Sequence, residues 1–263
     1  MRDLFAAAHD EGRALLLPYL TAGLPDPASS VDLFVAMAEA GADGFEIGIP
    51  YSDPLMDGPT IHSAGLRALN AGATFARSID IVNDVVDRTG LPVLVMTYAN
   101  PVLTKGADAY ASAVAAAGGS GLIVADLPVD EAARFASAAA GAGIGLVMFV
   151  APTTDDARLE RVIAADPLFI YGIARMGVTG EEVEAESQLE SLAHRLRQRT
   201  SIPLVAGVGI ATPAEAAAAA RHADGVIVGS ALVRRVLEAD GPETAAASLR
   251  TAVAELAAAV RVG

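Results

Sequence analysis

The chain has no cysteine and only one lysine in 263 residues. Without cysteine there are no disulfides, no thiolate metal sites and no cysteine nucleophile. The one lysine, Lys105, lies in ANPVLTKG several residues past an apolar run. There a solvated loop lysine is a simpler reading than a Schiff-base nucleophile. Histidine is scarce as well: His9, His62, His194 and His222 are scattered without ligand spacing, so no metal site is expected. Basic residues are outnumbered, 18 against 32 acids for a net charge of −14. That balance argues against nucleic acid or an anionic membrane surface as the main partner.

Only one uncharged run, Phe135 to Thr154, is as long as a membrane span. Gly141, Gly143 and Gly145 break it and Pro152 ends it, so a helix end, a turn and a buried strand fit it better. The opening MRDLF lacks the basic-then-apolar pattern of a secretion signal, and the cytoplasm is the expected location.

What is abundant is apolar residues, 53% of the chain, and they are periodic. Short branched or apolar runs bounded by Gly, Pro or Asp recur eight times. They are LLLPYLTAG near residue 15, GFEIGIP near 44, LPVLVMTYA near 91, GLIVADLP near 121, GLVMFVAP near 145, LFIYGIA near 168, PLVAGVG near 203 and GVIVGSAL near 225. Helical patterns separate them. In SSVDLFVAMAEAG, Val31, Phe34, Val35, Met37 and Ala38 cluster on one side. TFARSIDIVNDVVDRTG opens on Thr and TPAEAAAAARHADG on Thr-Pro, both helix-start signals. Eight alternating strand and helix units predict an α/β fold, a (β/α)8 TIM barrel spanning 1–263 as a single domain, with an extra N-terminal helix. TAGLPDPASS after the first strand is not G-x-G-x-x-G, so an open dinucleotide-binding sheet is unsupported.

In such a barrel, chemistry belongs at the carboxyl ends of the strands. The second strand alternates Phe45, Ile47 and Ile49 with Glu46 and Gly48. The apolar set should face the helices, leaving Glu46 inside the barrel with Gly48 making space beside it. Burial raises a carboxyl pKa towards neutrality and suits proton transfer; a buried glutamate paired with an arginine is the alternative. The following loop, PYSDPLMDGPTIHSAG, carries Asp53 and Asp57 ahead of a helix starting at about Pro59. Asp57 reads as a second mouth carboxylate or as an ordinary helix cap, and Asp53 in Ser-Asp-Pro as a turn or interface residue. Gly207, Val208 and Gly209 after the seventh strand, and Gly229 with Ser230 after the eighth, read as turns or as a backbone anion cradle of the kind barrels use for phosphate.

The segment GFEIGIPYSDPLMDGPTI closely resembles the signature of tryptophan synthase alpha chains. LPYLTAGLPD, VMTYANPV, VADLPVDE, ARMGVTG and GVIVGSALV match that family in order and spacing over nearly the whole chain. The resemblance implies a lyase cleaving indole-3-glycerol phosphate to indole and glyceraldehyde 3-phosphate, with Glu46 as the acid/base and Asp57 on the indole N–H. It implies phosphate binding by Gly180, Gly209, Gly229 and Ser230. Tyr19, Tyr98 and Tyr171 would lie around the substrate, although each reads equally as core. Thr179 would close towards Asp57, and EEVEAES after Gly180 would be a lid, or else a solvated loop or helix start.

A beta subunit carrying pyridoxal phosphate is the implied partner, in an alpha2-beta2 tetramer. Asn100, Asp126 and Pro128 match interface positions, and Asp53 matches a residue that pairs with a beta-chain lysine. No cofactor is implied for this chain. It departs from the family at Ala174, where serine is common, at Val208, where phenylalanine is frequent, and at His62, where glutamine is usual. Competing readings are another phosphate-binding barrel isomerase or epimerase, and a non-catalytic activator of a partner.

Overall fold

The computed structural model describes residues 1–173 and 182–261, with the backbone alone over 182–185. Helix α1 (Arg2–Asp10) precedes β1 (Leu15–Thr21), α2 (Ser30–Glu39), β2 (Phe45–Gly48), α3 (Pro59–Asn70) and α4 (Phe75–Thr89). Strand β3 (Val93–Thr97) is followed by α5 (Ala99–Lys105) and α6 (Ala107–Ala116), then β4 (Gly121–Val124), a 3-10 turn at Val129–Glu131 and α7 (Ala132–Gly141). The rest runs β5 (Gly145–Val150), α8 (Asp156–Ala164), β6 (Ile170–Ile173), α9 (Glu182–Arg197), β7 (Leu204–Gly207), α10 (Pro213–Ala220), β8 (Gly225–Val228), α11 (Ser230–Glu238) and α12 (Pro242–Val260). Each apolar run of the sequence is a strand.

The eight strands pair in chain order and β1 closes on β8, all parallel. Closure leaves no open edge, which a purely local sequence pattern does not dictate. The predicted caps hold two of the helices. Thr74 accepts the Arg77 amide at the start of α4, and Gly90 ends that helix at φ +68°. At α10, Thr212 and Glu215 form a reciprocal capping box with Pro213 in the first turn. The uncharged run from Phe135 divides as expected into the end of α7, a turn and β5. Among the described residues no helix is long and apolar enough to cross a membrane.

Outward-facing strand residues meet the helices: Phe45 packs edge-to-face on Phe34 of α2, ring centroids 5.3 Å apart. Helix α2 buries more than the single stripe expected. Leu33 and Ala36 are buried with Val31, Phe34 and Met37, whereas Val35 and Ala38 are half-buried, because α2 packs on α4 and α12 as well as on the barrel. Lys105 is exposed as expected but ends helix α5 rather than lying in a loop, its Nζ 4.5 Å over the Phe75 ring.

Candidate active site

Parallel register sets the interior layer at the carboxyl end of the barrel. Tyr19 stands beside Glu46, and Glu46 beside Leu94. With its neighbours Phe45 and Ile47 turned out to the helices, Glu46 faces inward and is only 5% exposed. Its Oε2 is fully buried with no hydrogen-bond partner among the described residues. Among the described residues no arginine pairs with it, and the ion-pair alternative finds no support there. Burial, reinforced by the negative charge of Asp57, pushes the Glu46 carboxyl up to about 8. It therefore carries its proton at neutral pH and can give it up.

Asp57 does not cap α3: the cap residue is Gly58, and no side chain bonds the helix amino end. Its Oδ1 instead accepts the Tyr98 hydroxyl at 2.5 Å. Burial raises the Asp57 carboxyl, opposed by that hydrogen bond and by the nearby His62. Tyr98 is itself buried and held high by burial and by Asp57. Its ring lies 5.5 Å from that of Tyr51, whose hydroxyl accepts from Asn100 at 2.9 Å. Tyr98 thus fixes the aspartate rather than lining the cavity.

The cavity, of about 450 Å³, is bounded by Tyr19, Glu46, Asp57, Tyr171, Gly209, Gly229 and Ser230, all singled out in the sequence. Sequence reasoning missed Met96, Phe149, Ile227 and Arg234, which also line it. Met96 was within reach, since it stands beside Gly48 in the β2–β3 register. The planar ring of Phe149 lies 4.9 Å from Tyr171, tilted by 32°, giving the cavity a flat apolar wall suited to an aromatic guest. Val208 adopts φ +69° and is 52% exposed beside Gly209 at φ +95°. A β-branched residue there carries backbone strain on the order of 1–3 kcal/mol, a condition that clusters at binding sites. Thr179, Gly180 and Ala174 lie outside the described residues. The acidic stretch beyond them, from Glu182, is the first part of α9, where Glu186 pairs with Arg221 at 2.6 Å.

The interface candidates stand apart from the cavity. Asp53 and Pro128 are exposed. Asp53 Oδ2 accepts the Ser52 hydroxyl at 2.5 Å in the expected turn. Asn100 is exposed on α5, and Asp126 accepts the Ala99 amide at 2.7 Å, capping the same helix.

The space Gly48 leaves beside Glu46 is filled by the Tyr19 ring: a Cβ on Gly48 would overlap the Tyr19 hydroxyl. Gly207 takes the Tyr171 hydroxyl in the same way. Gly48→Ala is expected to push the buried Tyr19 ring into the cavity and lower kcat/KM about 100-fold, the scale of an ångström's misplacement. Steady-state kinetics on a variant with unchanged circular dichroism checks this; full activity would show that the Tyr19 position is immaterial.

A buried carboxyl raised towards neutrality and a clamped aspartate, both bordering a cavity at the mouth of the barrel, are the groups that enzymes of the (β/α)8 class use for acid–base chemistry. Known proteins narrow the class to one family. A family model described as tryptophan synthase alpha chain matches residues 5–261, and the chain belongs to that family. It is 45% identical to the tryptophan synthase alpha chain of Thermobifida fusca, covering 99% of this chain and 97% of the relative, and 41% identical to that of Streptomyces coelicolor, covering 99% and 96%. Among solved structures, a chain of Mycobacterium tuberculosis tryptophan synthase is 41% identical with a TM-score of 0.89 over 99% of this chain and 98% of that one. Tryptophan synthase subunit alpha of Legionella pneumophila is 30% identical with a TM-score of 0.88 over 98% and 97%.

Proposed function

We infer that this chain carries the family's alpha reaction, cleavage of indole-3-glycerol phosphate to indole and glyceraldehyde 3-phosphate, and that Glu46 and Asp57 divide its chemistry. The observation that carries the assignment is Glu46, which lines the cavity with its Oε2 buried and without a hydrogen-bond partner among the described residues. Protonated Glu46 gives its proton to indole C3, creating an indolenine-like cation. The ionised Asp57 accepts a hydrogen bond from the ring N–H and stabilises the charge that develops there, more in the transition state than in the ground state. The carbon–carbon bond then breaks and its electron pair returns to the ring. The glycerol hydroxyl loses its proton to the Glu46 carboxylate as it becomes the aldehyde, so Glu46 ends as it began.

The phosphate would rest on backbone N–H groups of Gly209, Gly229 and Ser230 at the amino end of α11, where helix partial charge favours an anion. By family resemblance alone, Gly180 joins this set and Thr179 closes towards Asp57. Tyr19 and Tyr171, buried at 6% and 5% exposure yet bordering the cavity, would hold the substrate, with Tyr98 acting through Asp57. The chain is proposed to need no cofactor, to work in the cytoplasm and to assemble with a beta subunit, carrying pyridoxal phosphate, as an alpha2-beta2 tetramer. Asp53, Asn100, Asp126 and Pro128 would meet that partner. In support, Leu55 and Met56 are 82% and 59% exposed close to Asp53 in the chain, an apolar display that a partner surface accounts for.

Purified chain is expected to release indole from indole-3-glycerol phosphate slowly alone and faster when a beta subunit is titrated in. Absence of indole under both conditions would overturn the assignment. An unchanged rate with the beta subunit would remove the partner alone.

A further inference from the structure

We propose that Arg234 is a substrate-binding residue of this enzyme, its guanidinium gripping the phosphate together with the backbone N–H groups. The proposal rests on the reaction assigned above and adds to it a side-chain ligand that offsets part of the negative charge of the site.

The cavity lining holds two carboxyl groups, Glu46 and Asp57, and among the described residues one cation, Arg234. A phosphate monoester entering a chain of net charge −14 meets a repulsive field, and backbone N–H groups supply only partial charges against it. A full positive charge at the mouth offsets that repulsion. Position on the helix directs it there. Ser230 and Arg234 are four residues apart on α11, so they share a face. Helical side chains lean towards the amino end, and a long one covers the turn before its own Cα. Arg234 is thereby aimed at the end of α11 where Gly229 and Ser230 meet the cavity.

Its surroundings leave it available. Leu232, Val233 and Val236 bury the opposite side of α11. The next residue, Arg235, is engaged, donating to Ser248 on α12 at 3.1 Å. Arg234 is exposed and forms no hydrogen bond or ion pair among the described residues. A guanidinium with five donors and no partner among the described residues, on the lining of a cavity that a helix amino end also borders, has the donors for two parallel bonds to a phosphate.

The test compares Arg234→Ala, Arg234→Gln and Arg234→Lys with the parent chain on two substrates, indole-3-glycerol phosphate and the same molecule without its phosphate. Loss of charge-assisted hydrogen bonds is expected to raise KM for the phosphate substrate by about tenfold or more, with kcat changed less than about threefold. The dephosphorylated substrate should be handled equally by all variants, and the inhibition constant of inorganic phosphate should rise in step with KM. Lysine should restore part of the loss, and Arg235→Ala should change nothing. Unchanged KM and phosphate inhibition in the alanine and glutamine variants, or an equal loss on both substrates, would overturn the proposal. Should the parent chain release no indole, the reaction assignment fails separately. Calorimetric titration of inorganic phosphate into parent and variants then decides Arg234 directly: weaker binding without the arginine supports it, and equal or absent binding sinks it.

Discussion

Glu46→Gln is expected to lower indole release by about 10²- to 10⁴-fold and, at the same time, to make the protein more stable. The first effect follows from chemistry, since an amide fills the same space but neither delivers a proton to C3 nor takes one from the glycerol hydroxyl. The second follows from burial. The carboxyl ordinarily titrates at 4.5 and in the folded chain at about 8, so the folded state binds this proton more tightly than the unfolded one. Its contribution to stability is complete below pH 4.5 and is lost progressively as pH rises to about 8. At pH 7 that loss is on the order of 3 kcal/mol. Glutamine, neutral throughout, removes it. Thermal unfolding should show the variant ahead of the parent by a margin that grows between pH 5 and pH 8 and levels off above, reaching several degrees. The parent's kcat/KM should fall on the alkaline side near pH 8, where Glu46 loses its proton. A glutamine variant with normal turnover, or one with no pH-dependent gain in stability, would contradict the assigned role.

Asp57→Asn should lower kcat by about 10²- to 10³-fold with a much smaller change in KM, because the charge it loses is matched to one that develops only in the transition state. The substitution is close to isosteric, and an amide oxygen still accepts the Tyr98 hydroxyl, so the loop should keep its place. A second consequence separates electrostatics from damage. The charge of Asp57 is one of the two causes that hold Glu46 high. Its removal should shift the alkaline limb of the residual pH–rate profile downwards, towards but not reaching the ordinary glutamate value, since burial remains. A limb that stays in place would show the two carboxyls to be electrically independent, and one that moves up would reverse the argument.

The repeating pattern of the chain was sufficient to mark all eight strands, because each is a short apolar run cut off by Gly, Pro or Asp, and period-two alternation is a local property. The same alternation turned Glu46 inward, since burying Phe45 and Ile47 against helices leaves the carboxylate no other direction. The capping of α4 and α10 was legible for a similar reason, as it joins residues only three positions apart. Local logic failed where distant segments meet. Asp57 read as a mouth carboxylate or as a helix cap, and nothing local told the two apart; it lines the cavity, and its partner is Tyr98, 41 residues away on the far side of β3. Val35 and Leu33 exchanged the expected depths because α2 is covered by α4 and α12, neither of which its own periodicity registers. Arg234 carries no motif and becomes informative only once α11 is docked beside the barrel mouth.

Element type and strand facing, the inward turn of Glu46 included, thus belong to the order of residues along the chain, since they depend on periods of two to four. Closure of β1 on β8, the tyrosine that clamps Asp57 and the cavity that leaves Glu46 Oε2 without a partner among the described residues were decided by the tertiary structure alone. Parallel pairing brings together groups separated by tens to hundreds of residues, and their desolvation and mutual charge, which tune the proton affinities, arise only when the barrel closes around them.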